Sequence, residues 1–105
     1  MLGSPAVRHW VLVVSLDSRN LSERADSVLI VPFGSLGADG PTTLRFEPGE
    51  TGLPGPSWLK GHFITTLRKS LLGERLPRPL SGLRMRQVSL AIQRAFDPDS
   101  TARKA

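Results

Sequence analysis

Apolar residues in this chain fall into short continuous runs broken by Gly/Pro-rich stretches, with one helical stripe near the end. Residues 9–15 are apolar and β-branched without alternation, which predicts a strand buried on both faces. Residues 27–33 repeat that pattern. Between them, residues 17–26 are polar and irregular and read as a loop. Residues 34–41 hold three glycines and a proline and read as a mobile loop. Thr43, Arg45 and Glu47 alternate with Leu44 and Phe46, so residues 42–47 predict a half-exposed strand. Residues 48–56, with three prolines and three glycines, must be a turn-rich connection. A further strand is expected over 58–65, a short turn or helix over 67–72, and a last short strand over 74–76.

Ser81 offers an N-cap, and Met85, Val88, Ile92 and Phe96 follow at spacings of 3, 4 and 4, one stripe of a helix that Asp97-Pro98 ends. Arg84, Arg86 and Arg94 lie off that stripe and predict a solvated helix face. Several short strands, Gly/Pro turns and one closing helix imply a mainly β domain, a small barrel or roll with a C-terminal helix.

Composition changes this picture little, with 39% hydrophobic and 22% charged residues in 105. One domain fits that length. Charge is more informative. The total is +5, yet residues 60–94 carry eight bases against Glu74 alone, an excess of +7. Such a segment suits a phosphate backbone or an acidic protein partner, and equally a merely Arg-rich soluble surface. No cysteine is present, which excludes disulfides and thiolate sites. The longest apolar run is far too short for a membrane span, and no secretion signal opens the chain, so a cytoplasmic protein is expected. His9 and His62 lack companion metal ligands at useful spacing. There is no phosphate loop, dinucleotide fingerprint or nucleophile elbow.

Longer segments carry a resemblance. His-Trp-Val-Leu-Val-Val-Ser-Leu-Asp-Ser-Arg-Asn at 9–20 resembles the MazF/PemK toxin pattern of Arg-Pro, an apolar strand, Ser-Asn-Asp and a nearby Asn. Pro-Gly-Glu-Thr-Gly-Leu-Pro at 48–54 is similar to that family's Gly-Glu-x-Gly-Leu-Pro turn. Residues 63–73 resemble its Gln-Ile-Arg-Thr-x-x-Lys-x-x-Leu-Gly segment, and a Leu-Ser before an amphipathic helix follows in order. The resemblance covers about residues 8–96. It implies an SH3-like barrel, with residues 1–98 as one toxin domain and 99–105 as a flexible tail. It further implies a homodimer, an acidic antitoxin partner, and cleavage of single-stranded RNA by 2′-hydroxyl attack without a cofactor or metal. Dimerisation also follows from the strands, which carry more apolar surface than one short helix covers.

The chain departs from the family at its catalytic pair. The family's Arg-Pro falls on His9-Trp10, with Arg8 one residue earlier, and its Thr falls on Gly34, with Ser35 beside it. The family's opening strand has no counterpart in the seven residues before Arg8, and its loss would leave a sheet edge open. Histidine is a competent general base near neutral pH, whereas arginine serves only as a phosphate clamp. The candidate catalytic set is therefore Arg8, His9 and Ser35. As neighbours on a strand, Arg8 and His9 would face opposite ways unless the chain is irregular there. The alternative is a decayed pair with His9 a strand-end residue.

Asp17 and Asn20 match a family loop that contacts RNA, although Asx residues also simply make turns. Lys60, Arg68 and Lys69 match its basic central segment and are the candidate phosphate contacts. His62 reads as structural. Trp10 and Trp58 read as packing residues, with stacking on bases as the alternative. Two other functions fit the same barrel: non-catalytic binding of RNA or of a protein such as gyrase in the manner of CcdB, or an inert truncated remnant. The tail Thr101-Ala-Arg-Lys-Ala lacks the apolar terminus that the CcdB manner requires.

Overall fold

The computed structural model describes residues 9–75 and 79–105. The catalytic expectation for Arg8 and part of the short strand expected over 74–76 lie outside them, and Glu74 and Arg75 carry no regular structure.

The second apolar run forms the central strand β2 (Ser27–Gly34). Strand β1 (Val11–Val13) lies antiparallel along one edge of it, pairing Val11 with Pro32 and Val13 with Ile30. Strands β4 (Ser57–Lys60) and β5 (Thr65–Arg68) share its other edge, β4 at Phe33–Gly34 and β5 at Ser27–Ile30. Strand β3 (Thr43–Phe46) pairs outside β4. The sheet is antiparallel throughout, as expected of this mainly β fold with a closing helix, but among the described residues it does not close into a continuous barrel. β1 is half-buried rather than buried on both faces, because its outer edge has no described strand beside it.

Helix α3 (Gly82–Arg94) covers the sheet. Its cap is as the sequence predicts: the Ser81 hydroxyl accepts the Arg84 N–H at 3.2 Å. Val31, Phe46, Leu59 and Val88 make the inner core, with Leu12, Phe33, Leu44 and Ile92 packed around it. The buried stripe is rotated from the predicted one. Val88 and Ala91 are buried, and Phe96, beyond the Ala95 C-cap, is 64% exposed.

Two other expectations change. The loop over 17–26 begins with a short helix, α1 (Asp17–Asn20). The strand expected over 58–65 is broken by a 3-10 turn at Gly61–Phe63, which shifts the register on β2 by three residues between β4 and β5. The cause is tertiary. Gly61 backs onto α3, and a Cβ there would lie 2.8 Å from the Ala91 carbonyl carbon. Residues 69–71 form a second 3-10 turn, within the turn expected over 67–72. No described helix is long and apolar enough to cross a membrane.

Candidate nucleic-acid site at the end of the central strand

The C-terminal end of β2 forms the floor of an open cleft of about 660 Å³. Pro32, Phe33 and Gly34 make the floor and Ser35 continues it. His9 and Trp10 flank it on the β1 side. Ser57, Trp58 and Lys60 of β4, with Phe63 of the 3-10 turn, flank it on the other, and residues 53–56 complete the wall. No carboxylate lines the cleft among the described residues.

Backbone pairing sets these positions. The Phe33 N–H donates to the Trp10 carbonyl at 2.9 Å, which carries the β1–β2 ladder one residue past the strand. His9 and Trp10 precede the regular strand, and both line the cleft although they are neighbours. On the far side, the Gly61 N–H donates to the Thr42 carbonyl at 2.7 Å and His62 Nδ1 sits 2.9 Å from Thr42 Oγ1. His62 is thus a brace, as the sequence suggests, and its ring meets Phe63 edge-on at 4.6 Å. The Lys60 ammonium stands 5.5 Å from the Phe63 ring centre.

The structure brings together His9, Ser35 and Lys60 and separates them from Asp17, Asn20, Arg68 and Lys69. β2 has eight residues, so its ends lie roughly 23 Å apart at strand rise. At the far end Asn20 turns inward, accepting from the Ser15 hydroxyl at 2.5 Å and donating to the Ser15 carbonyl at 2.8 Å. Ser15 Oγ in turn accepts the Leu29 N–H at 3.1 Å. The Lys69 ammonium donates to the Arg19 and Ser22 carbonyls at 2.9 and 2.7 Å. Asp17 is exposed in the first turn of α1. Arg68 lines a shallow hollow that also holds Glu23 and Asp26, which weakens its pull on a phosphate.

The helix arginines also divide. Arg86 and Arg94 are exposed, as a solvated face requires. Arg84 is not: its guanidinium lies 4.0 Å over the Phe46 ring and donates to the Arg45 carbonyl and, at 2.5 Å, to Gln87 Oε1. Its Nε is 3.0 Å from Glu50 Oε1, although that N–H is not aimed at the carboxylate, so the contact is one of charges. Glu50 Oε2 accepts the Glu47 N–H at 2.9 Å, closing the turn of helix α2 (Pro48–Thr51). Gly52 ends that turn with φ 79°, a conformation that favours glycine, and Leu53–Pro56 then form the cleft wall. The Pro-Gly-Glu-Thr-Gly-Leu-Pro segment thus bolts the cleft wall to α3. Arg84 precedes Val88 by four and Ala91 by seven, which puts it on the helix face that the fold buries.

Comparison with solved structures places this fold among known toxins. Mycobacterium tuberculosis toxin MazF-mt6 superposes with a TM-score of 0.73 at 21% identity, over 86% of this chain and 87% of that one. A crystal structure of an Mtb toxin gives 0.71 at 20% identity, over 82% and 90%. A mycobacterial endoribonuclease solved in complex with its cognate antitoxin gives 0.68 at 26% identity, over 81% and 77%. No curated protein sequence matches. A family model does, over residues 3–96, and the chain belongs to the PemK-like, MazF-like toxins of type II toxin–antitoxin systems.

Proposed function

We propose that this chain is an endoribonuclease that cuts single-stranded RNA in the cleft at the end of β2, with His9 as proton acceptor. The observation that supports it most is the gathering of His9, Ser35 and Lys60 in one carboxylate-free cleft. In the reaction, the His9 imidazole takes the proton of a ribose 2′-hydroxyl. The 2′-oxygen bonds to the adjacent phosphorus, the bond to the 5′-oxygen breaks, and a protonated group in the cleft returns a proton to that oxygen. The products are a 2′,3′-cyclic phosphate and a 5′-hydroxyl. Lys60, with Arg8 one residue before His9, opposes the charge on the pentacoordinate phosphate. Ser35 donates to a phosphate oxygen. No metal enters this scheme, and among the described residues no three His, Asp or Glu side chains gather to hold one.

The partner is an acidic antitoxin segment that occupies the same basic cleft and competes with RNA. The active form is a homodimer, measurable by light scattering, where a monomer at micromolar concentration refutes it.

The test is incubation with single-stranded RNA in EDTA, with fragment ends identified. Cleavage is expected to persist, and His9→Ala to lower it by ~10²–10⁴-fold, the usual range for a lost general base. Activity that survives His9→Ala, or that EDTA abolishes, refutes the assignment. Salt-dependent RNA binding without cleavage would instead support the non-catalytic reading.

A further inference from the structure

Two large aromatic side chains in the cleft stay open to solvent: Trp10 is 38% exposed and Phe63 52%. They flank the end of β2 from opposite edges, one before β1 and one after β4. Neither position is loose. Trp10 hangs from a backbone paired to Phe33, and Phe63 sits in the turn that Gly61 wedges against α3. The other cleft tryptophan is less open, since Trp58 is half-buried and has Gly37 packed directly on its ring.

We infer that Trp10 and Phe63 are a stacking site for unpaired nucleobases, set beside Lys60, which takes the phosphate of the same strand. The inference rests on the nucleic-acid reading above and adds how the strand is gripped. Exposed rings offer a π-face to any base, so the grip tolerates sequence. A cation 5.5 Å from the Phe63 ring centre puts the phosphate contact within one nucleotide of the stacked base. The absence of a carboxylate among the described lining residues favours an anionic strand over a cationic ligand. Because the backbone under both rings is already fixed, little ordering accompanies binding.

The test compares two deoxyribose strands of equal length and charge, which lack the 2′-nucleophile: one with bases and one abasic throughout. The wild-type chain is expected to bind the base-bearing strand at least 5-fold and up to roughly 150-fold more tightly per stacked base. Trp10→Ala and Phe63→Ala should each remove one ring's share of that preference, and the double variant all of it, while leaving the abasic affinity and its salt dependence unchanged. Trp10→Phe should keep most of it. Equal wild-type affinity for the two strands, or equal losses from both on Trp10→Ala, overturns the stacking site and leaves the nucleic-acid reading standing. No binding of either strand overturns both. If an acidic unstructured peptide loses affinity on Trp10→Ala while the base-bearing strand does not, the rings serve a protein partner and the inference fails.

Discussion

Arg84→Met isolates what the half-buried guanidinium contributes, because methionine keeps an unbranched stem over Phe46 and removes the charge. Two donated hydrogen bonds are lost, to the Arg45 carbonyl and to Gln87, each contributing about 0.5–1.5 kcal/mol net. The cation over the Phe46 ring contributes about 1 kcal/mol at a partly desolvated site, and a thioether on the same ring restores part of it. The Glu50 contact adds less than about 1 kcal/mol, since that carboxylate is 38% exposed and the Nε–H points away from it. The total is about 2–3 kcal/mol. For a domain of this size that lowers Tm by roughly 10–20 °C.

Thermal melting followed by circular dichroism measures it, with Glu50→Gln and the double variant completing a cycle. Glu50→Gln alone should lose no more than about 1 kcal/mol. The coupling between the two should be smaller than the Arg84 effect. A loss under about 0.5 kcal/mol for Arg84→Met would show the helix docks without the guanidinium. Equal losses in both single variants would mean the ion pair dominates, and the assignment to Phe46 and the Arg45 carbonyl would be wrong.

Three further outcomes follow from the same geometry. Gly61→Ala should destabilise by about 1–3 kcal/mol, because the added Cβ meets the Ala91 backbone, and wild-type stability on melting would refute that close approach. Lys69→Met should lose about 1–2 kcal/mol with its two carbonyl contacts and leave RNA affinity unchanged; lost affinity at unchanged stability would return Lys69 to the RNA contacts. RNA affinity should fall with salt at a log–log slope of roughly −1.4 to −2.8, equivalent to two to four phosphate contacts per chain, and a slope near −5 would mean the inward-turned cations reach RNA after all.

The elements legible in the sequence were those whose causes are local. The apolar run 27–33 became β2, the alternation around Leu44 and Phe46 became β3, and Ser81 caps α3. The break at 61–63 was not legible. Residues on both sides favour strand, and the close approach of α3 to Gly61 that accompanies the turn is a tertiary contact no local pattern shows. The helix stripe was mis-rotated for a related reason. Arg84 looks like a surface residue until Phe46 and the Arg45 carbonyl lie beneath it, and neither can be placed from the helix alone.

The charge pattern misleads in the same way, and the consequence bears on function. Residues 60–94 look like one basic surface because sequence counts charges without directing them. In the fold, Lys69 neutralises no phosphate-like group yet has two carbonyl partners, and Arg84 faces Glu50 from the acidic first half. Among the described residues of that segment, the cations left facing solvent are spread over separate elements: Lys60 at the cleft, Arg68 beside Glu23 and Asp26, Arg75 outside regular structure, and Arg86 and Arg94 on the outer helix. Under the proposed function, bulk charge therefore draws RNA to the molecule without selecting where it lies. Selection falls to the cleft, the place where a cation, an exposed imidazole, a serine and two open aromatic rings converge. On that proposal the binding groove is a property of topology: β2 ends against β4, and the residues at its exit, not the basic segment as a whole, decide where a nucleic acid would lie.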